Sequence, residues 1–384
     1  MNIIILIRKF SKKIYKNFIS LIFLTFYKKP ILSKKKLDIS EFSKKKITLN
    51  GKNYFAYKII KGRIYTDNNN NAAYISKNNF LLEPSYQFQN RKNSLSSYNS
   101  NIKNNFSLKN GTPKIIKTEN KNVLSILSGG ASRENFSHWF LDTIPRIYLF
   151  KKAFKNNKIE KLIVPSCKYR YQSESLKLLG FHSKKIISAE KYKHIKTKTL
   201  FATSHPSNYR PVSVPKWNIN FIRSCFINRG NKRNKFFDRI YIDRDQTKHI
   251  DFENLEKFKT HRVILNNDEL KKILINYGFK IVKPETLDFE NQISLYRNAK
   301  VIFSLFGAAM YLISLCRPKT KIIEVRPKKA SDEFKKISNL CKLDHYQIKV
   351  NPLINPGKYK QQGLLKCPIN EVEKLFKKIK IKKI

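Results

Sequence analysis

Residues 279–325 read FKIVKPETLDFENQISLYRNAKVIFSLFGAAMYLISLCRPKTKIIEV, and this stretch decides the fold. It contains three largely apolar segments with the length of buried strands, separated by two segments of helical character. The strand segments are 279–282, 300–304 and 321–325, and the helical segments are 289–297 and 307–315. This alternation predicts a parallel sheet whose strands are joined by right-handed helical crossovers.

The pattern extends toward the N-terminus of this stretch. Asn266 or Asn267 can cap a helix whose apolar residues recur at intervals of three and four, and Gly278 stands where that helix should stop. A further strand is predicted at 239–243. The second half of the chain therefore reads β-α-β-α-β-α-β.

The first half shows a similar α/β alternation from about residue 120. We predict strands at 123–127, 161–165, 185–188 and 199–203, strands also within 51–66, and helices at 137–152 and 172–179. Residues 206–235 are rich in Pro, Asn and Arg, which places the domain boundary there. Residues 31–50 are rich in Lys and Ser and are predicted to be a linker.

The composition fits a folded but very basic protein. Of its 384 residues 41% are hydrophobic, and 79 Lys and Arg against 27 Asp and Glu give a net charge of +52. Such a charge favours a polyanionic partner, either nucleic acid or an anionic membrane. The alternative is a codon bias toward Lys, Asn and Ile, which we favour because the lysines are spread along the whole chain. No nucleic-acid-binding motif is present, so we expect no specific nucleic acid partner.

The cysteines and the N-terminus indicate the compartment. The five cysteines are scattered without a Cys-x-x-Cys pair, which excludes a disulfide framework or zinc site and favours the cytoplasm. The longest early apolar run, 18–27, is too short to cross a membrane, and basic residues surround it. We predict a basic amphipathic helix on the inner face of the cell membrane. The alternative is a first helix that packs on the domain.

One segment combines unusual polar residues. Residues 135–146 read NFSHWFLDTIPR, and on a helix His138 and Asp142 share one face, which Arg146 extends by a turn. A carboxylate beside an imidazole raises its pKa and fixes its tautomer, which suits a general base. The alternative is a polar lock between two domains.

Three features of the second half could bind a nucleotide. The turn at 304–309, SLFGAA, ends a strand and opens a helix whose N-terminus could hold phosphate, or it is a tight packing turn. Glu324 and Glu285 stand at strand ends, where a carboxylate can accept ribose hydroxyls or simply face solvent. Arg244 could clamp a diphosphate. Asp243 and Asp245 have a spacing that can hold a divalent cation, or they pair internally with arginine.

These motifs, in this order, resemble glycosyltransferase family 61 over roughly residues 120–327. The matching positions are Asn135, His138, Trp139, Asp142, Pro145 and Arg146, then Tyr241, Ile242 and Arg244, then Arg262, Asn266, Glu269 and Leu270, then Gly278, Phe279, Pro284, Glu285, Gln292 and Ala299. A small-residue turn and a hydrophobic-Glu strand close the set.

The resemblance implies an α/β fold of two Rossmann-like domains facing a cleft, which is the GT-B-like plan. Residues 1–50 would be the N-terminal segment and linker, 51–230 the acceptor-side domain, and 231–384 the nucleotide-sugar domain with a final helix. The implied reaction is inverting transfer of a sugar from a nucleotide sugar to a hydroxyl of a glycan or lipid-linked glycan, in cell-surface polysaccharide synthesis. No cofactor beyond the donor is expected, apart from the divalent cation considered above.

The resemblance also assigns roles to residues. His138 would be the base, oriented by Asp142, with Asp142 as the fallback. The donor side would comprise Arg244, Arg262, Glu285, Phe306, Gly307, Ala308 and Glu324, and the acceptor side Asn135, Trp139 and Arg146. Phe306 stands where the family has histidine, and phenylalanine cannot hydrogen-bond a diphosphate. A catalytically silent relative that binds nucleotide sugars is therefore the alternative.

Overall fold

The computed structural model shows a mixed α/β protein of two compact units, Met1–Pro211 and Val212–Ile384. The structure describes residues 10–11, 14–15, 18, 21–32, 40–67, 71–85, 102–128, 133–206, 214–231, 237–244, 250–251, 253–357 and 360–384.

The first unit is built on a mixed sheet. Its strands are β1 (Ile31–Leu32), β2 (Phe42–Leu49), β3 (Lys52–Ile60), β4 (Arg63–Thr66), β5 (Ala72–Ile75), β6 (Phe80–Leu81), β7 (Lys117–Ser125), β8 (Lys161–Val164), β9 (Ile186–Ser188) and β10 (His194–Thr203). Its helices are α1 (21–27), α2 (Phe106–Asn110), α3 (Phe136–His138), α4 (Pro145–Ala153) and α5 (Arg170–Leu178), with a π-helix at Trp139–Thr143.

This sheet has a parallel half and a mostly antiparallel half that meet at β10, and in the latter β1 runs parallel to β6. Strands β10, β7, β8 and β9 are neighbours and run parallel, as the predicted strands of this region suggest. On its other side β10 pairs antiparallel with β3 and β4, and β5, β6 and β1 continue beyond β4. Fully buried Val123, Leu200 and Ile163 fill the core of the parallel half. The carboxyl ends of β7 and β10 thus lie at one edge, where the first candidate site is found.

The linker predicted at 31–50 is wrong over most of its described part. Residues 42–49 form β2, which pairs with β3 along its whole length. Lys44, Lys45 and Lys46 are exposed on this outer strand, and Ile47 is buried. Lysines are common on edge strands because they prevent pairing with another chain. The basic composition that suggested a linker therefore belongs to a protected sheet edge.

The second unit contains a fully parallel sheet. Its strands are β11 (Arg239–Ile242), β12 (Arg262–Ile264), β13 (Lys280–Val282), β14 (Val301–Leu305), β15 (Lys321–Pro327), β16 (Asp344–Val350) and β17 (Gly363–Leu365). Its helices are α6 (Lys216–Phe226), α7 (Asn267–Asn276), α8 (Phe289–Asn298), α9 (Glu333–Leu340) and α10 (Ile369–Lys378), with a 3-10 helix at Ala308–Leu315.

The main sheet has the order β13-β11-β14-β15-β16, and all of its neighbouring pairs are parallel. The parallel sheet predicted from the alternation is therefore confirmed, although β16 and the separate β12–β17 pair were not anticipated. Phe303 contacts the rings of Tyr241 and Phe376 in the core, at centroid distances of 5.7 and 6.3 Å. The segment after Gly307 is helical as expected, but it is a 3-10 helix. Helix α6 lies within 206–235, where only a boundary was predicted.

The N-terminal end of the chain contributes helical residues to the first unit. Tyr27, at the end of α1, packs edge-on against His194 with 5.3 Å between ring centroids. Within the described residues, the structure contains no helix with the length and apolarity needed to span a membrane.

Candidate active site

The first candidate site begins with a capped helical turn. The side-chain oxygen of Asn135 accepts hydrogen bonds from the backbone N–H groups of Ser137 and His138, at 3.0 and 3.4 Å. The backbone then widens into the π-helix, where the N–H of Ile144 bonds to the carbonyl of Trp139 at 3.0 Å. Pro145 has no N–H to donate to the carbonyl four residues earlier, which accounts for the irregular turn. Such π segments are frequent at functional sites.

This turn brings His138 and Asp142 together. The Nδ1 atom of His138 lies 2.5 Å from Oδ2 of Asp142. The histidine side chain is 29% exposed, whereas that of the aspartate is only 6% exposed. A hydrogen bond of this length to a buried carboxylate fixes the imidazole, with its proton on Nδ1. The arrangement can accept a proton at the other ring nitrogen.

The remaining predicted residues of this segment form the frame of the site. Trp139 is fully buried and donates from Nε1 to the hydroxyl of Ser175 at 3.0 Å. Arg146 is also buried, and it donates to the backbone carbonyls of Asp142 and Thr203 at 3.1 and 2.8 Å. Arg146 therefore ties the helical segment to the end of β10. Arg146 thus contacts the backbone of Asp142, whereas Trp139 packs in the core beside Ser175.

Sequence reasoning missed a second histidine at this site. His205 is fully buried, and its Nε2 lies 3.8 Å from Oδ1 of Asp142. Burial lowers the pKa of His205 to about 3, and Asp142 opposes this shift only in part. His205 is therefore neutral near pH 7, and its approach to the aspartate is not an ion pair. Its position just after β10, at the carboxyl end of a buried strand, was the available signal.

The second candidate site lies in the other unit, at the carboxyl ends of β11 and β14. Arg244 follows β11 and lies against Gly307, which follows β14. A Cβ atom at position 307 would overlap the guanidinium of Arg244. The backbone of Gly307 is extended, so it is the close approach of Arg244 that requires glycine here. Ala308 then begins the 3-10 helix, whose first N–H groups lack helical partners.

Two arginines at this site are held in poorly solvated positions. Burial and the positive charge of Arg262 lower the pKa of Arg244 to about 10, and Glu285 opposes the shift. Burial also lowers the pKa of Arg262, opposed by Glu333 and Tyr311. The Nη1 atom of Arg244 is buried without a hydrogen-bond partner in the described part of the chain. A bound anion would relieve both the desolvation and the repulsion between these cations.

Phe306 supports the arginines. The guanidinium carbons of Arg262 and Arg326 each lie 5.8 Å from the centroid of its buried ring. The ring of Phe334 packs edge-on against it at 4.9 Å. Arginines over an aromatic face gain cation–π attraction. Phe306 therefore holds Arg262 in place, although it cannot itself bond an anion.

The two carboxylates predicted to hold a ribose differ in accessibility. Glu324 is fully buried, and its Oε2 accepts hydrogen bonds from His345 and Gln347 at 2.9 and 3.0 Å. Its Oε1 has no hydrogen-bond partner among the residues that the structure covers. Glu285 is exposed in a short 3-10 turn after β13, and its negative charge acts to raise the pKa of Arg244. Glu285 is therefore the more accessible of the two.

The candidate cation ligand Asp243 is engaged in an internal network. Its Oδ1 accepts a hydrogen bond from Asn267 at 3.1 Å, and its Oδ2 lies 3.0 Å from Nζ of Lys271. The internal partner is thus a lysine, where an arginine was the alternative considered. Asp245 lies outside the described residues. Among the described residues, no group of three His, Cys, Asp or Glu side chains could hold a metal ion.

Both candidate sites fall within one family match. The model of the Glycosyltransferase 61 family matches residues 136–323. This matched part of the chain is similar to glycosyltransferase family 61, the family that the sequence motifs resemble. A comparison with curated proteins gives no match.

The region assigned to family 61 includes most of the residues described above. These are His138, Trp139, Asp142, Arg146, His205, Arg244, Arg262, Glu285, Phe306, Gly307 and Ala308. The match supports glycosyl transfer as the general activity, with a sugar donor and a glycan acceptor in general terms. Asn135 and Glu324 each lie one residue outside the matched range.

Proposed function

We propose that the protein is an inverting glycosyltransferase that uses a nucleotide sugar and a hydroxyl of a glycan or lipid-linked glycan in cell-surface polysaccharide synthesis. The observation that carries the proposal is the His138–Asp142 pair, with its 2.5 Å hydrogen bond, inside the family 61 region. A partly exposed imidazole on a buried carboxylate has the chemistry of a general base.

In the proposed reaction, Nε2 of His138 takes the proton of the acceptor hydroxyl. The hydroxyl oxygen then forms a bond to the anomeric carbon while the bond from that carbon to the diphosphate oxygen breaks. Attack from the side opposite the leaving group inverts the anomeric configuration. Asp142 stabilises the positive charge that develops on the imidazole. If His138 acts only in positioning, Asp142 is the alternative base.

The donor diphosphate would bind to the second unit. Arg244 and Arg262 are charged, largely buried and close to each other, and the N–H groups after Gly307 add further donors. Stabilising the leaving group's charge is the main electrostatic task in such a transfer. Glu285 would accept the ribose hydroxyls, with Oε1 of Glu324 as the alternative acceptor. In this proposal the units correspond to the two Rossmann-like domains of a GT-B-like enzyme, the first for the acceptor and the second for the donor.

The test is turnover of nucleotide sugars by the purified protein, measured as transfer and as hydrolysis. His138→Ala and Asp142→Ala should each lower kcat by about 10²- to 10⁴-fold, since a positioned base contributes about that much. His182→Ala is the matched control, because His182 is exposed in the same unit. Unchanged turnover in both site variants would contradict the base assignment.

The second candidate is a catalytically silent relative that binds nucleotide sugars. Phe306 favours it, because a phenyl ring cannot donate a hydrogen bond to the leaving group. Calorimetry with UDP, GDP and CDP, followed by turnover assays, separates the two candidates. Binding of one nucleotide without turnover of any of its sugars would support the silent relative.

A further inference from the structure

The N-terminal helical residues expose an unusual set of apolar side chains. The structure describes thirteen exposed large apolar side chains, and seven of them lie between residues 10 and 26. Their exposed fractions range from 37% to 77%. The seven are Phe10, Ile14, Tyr15, Phe18, Leu21, Ile22 and Phe26. Exposed apolar side chains that cluster in this way mark an interaction surface, whereas isolated ones do not.

The spacing of these residues is that of side chains on one face of a helix. All seven are helical among the described residues 10–11, 14–15, 18 and 21–27, and Phe10, Ile14, Phe18 and Leu21 recur at intervals of four, four and three. That spacing aligns side chains along one helix face. We call the seven residues the apolar face. These side chains cover a face as wide as the one that an amphipathic helix buries against a binding partner.

The opposite side of the helix is already held by the first unit. Leu24 lies so close to Gly111 that a Cβ atom there would overlap its side chain. Tyr27 packs against His194, and Asn79 donates a hydrogen bond to the carbonyl of Lys29 at 2.8 Å. Strand β1 follows at Ile31 and pairs with β6. These contacts attach the end of the helix to the first unit, and the apolar face remains exposed.

The positive charge of the N-terminal segment favours an anionic partner. Residues 8–29 contain seven Lys and Arg and no Asp or Glu, and the whole chain carries +52. Lys28 and Lys29 are exposed at the end of α1. A second copy of the chain would bring the same positive charge, so like-charge repulsion opposes self-association through this face. An anionic lipid surface offers both apolar depth and negative charge, which together give stable membrane binding.

We infer that the apolar face docks the protein on an anionic membrane surface, with the helix lying in the plane of the interface. The inference goes beyond the proposed transferase function and does not rest on it, because binding to lipid is measured without substrate.

The test is flotation with vesicles at about 0.15 M salt. We expect the native chain to bind vesicles of phosphatidylcholine mixed equally with phosphatidylglycerol, and to bind pure phosphatidylcholine far more weakly. The variant Phe18→Ser/Leu21→Ser/Phe26→Ser should partition to the anionic vesicles at least about tenfold more weakly, because three apolar side chains no longer enter the lipid. The matched control is Ile275→Ser/Leu353→Ser, which removes exposed apolar side chains elsewhere and should bind as the native chain does.

A second measurement reports insertion directly. Phe26→Trp places a new fluorophore on the apolar face, while the native Trp139 and Trp217 are buried. Its emission should shift to shorter wavelength with anionic vesicles and be quenched by brominated lipid. No shift would overturn the inference, and so would equal vesicle binding by the triple variant. A triple variant that dissociates a native dimer while keeping its lipid binding would show that a second copy covers the face.

Discussion

The two candidate sites differ in the groups that surround their buried charges. In the first unit, the buried carboxylate of Asp142 has a hydrogen-bonded imidazole at 2.5 Å and a second, neutral imidazole nearby. In the second unit, burial lowers the pKa of both Arg244 and Arg262, and the nearby carboxylates of Glu285 and Glu333 oppose these shifts only in part. A carboxylate with a hydrogen-bonded imidazole suits proton transfer, whereas neighbouring cations in poorly solvated positions suit an anionic ligand. We therefore propose that the first site carries the chemistry and that the second binds the anionic ligand.

The sharpest test of this separation is Asp142→Asn. The amide keeps the shape of the side chain but can stabilise neither the charged imidazole nor its correct tautomer. We expect kcat to fall by about 10³-fold, within the range for loss of general-base function. The Kd of the nucleoside diphosphate should stay unchanged in calorimetry. A parallel loss of nucleotide affinity would show that the two sites are not separate in function.

The reverse experiment is Arg244→Met, which keeps the length and apolar stem of the side chain. We expect the Kd of the nucleoside diphosphate to rise by about 10²-fold, because a buried charge-assisted contact is lost. Arg229→Met, at an exposed arginine of the same unit, is the control and should bind normally. If Arg244→Met binds the nucleoside diphosphate as tightly as the native chain does, the anion does not bind at the carboxyl ends of β11 and β14.

The neutral histidine of the first site makes a prediction about acid stability. His205 has a pKa of about 3 when folded, against about 6.5 when unfolded. Between these values the unfolded chain binds the proton and the folded chain does not, so stability falls as the pH falls below about 6.5. Lowering the pH to 5 should therefore cost about 2 kcal/mol through this residue alone.

Urea unfolding at pH 7 and pH 5 measures that loss. His205→Gln should lose about 2 kcal/mol less than the native chain over this interval, and His182→Gln should behave as the native chain. His194 is also buried, with a pKa of about 4, so part of the acid sensitivity should remain in the variant. An identical pH dependence in His205→Gln and the native chain would mean that His205 is charged or unburied.

The comparison also shows what sequence could predict. Most of the parallel sheet of the second unit was predictable because four of its five strands contain short apolar stretches, as in Val301–Phe303 of β14. The His138–Asp142 contact followed from helical spacing, and a π-turn preserves it. Strand β2 was missed because its exposed lysines mimic a linker. A single sequence predicts where apolar strands lie. It does not predict which side chains from different strands contact each other.

Glu324 and Phe306 illustrate that limit. Glu324 was predicted to hold a ribose because it was expected to end a strand, but β15 continues to Pro327 and places Glu324 at its middle. The ribose-binding role stays a prediction. His345 and Gln347, which bond it, come from the unanticipated β16. For Phe306, the partners Arg262 and Arg326 are distant in sequence and come from β12 and β15, which belong to different sheets. No spacing rule relates these residues.

The smallest predicted effect concerns Phe306 and decides whether its ring is part of the anion site. Phe306→Leu keeps an apolar residue but removes the aromatic ring that the two guanidiniums approach. Loss of cation–π attraction of about 1 kcal/mol should raise the Kd of the nucleoside diphosphate about fivefold through Arg262. Phe334→Leu is the control, because it removes an edge-on neighbour of the ring and leaves both arginine contacts. If both variants weaken binding equally, the ring acts only in packing, and the arginines are held by their other contacts.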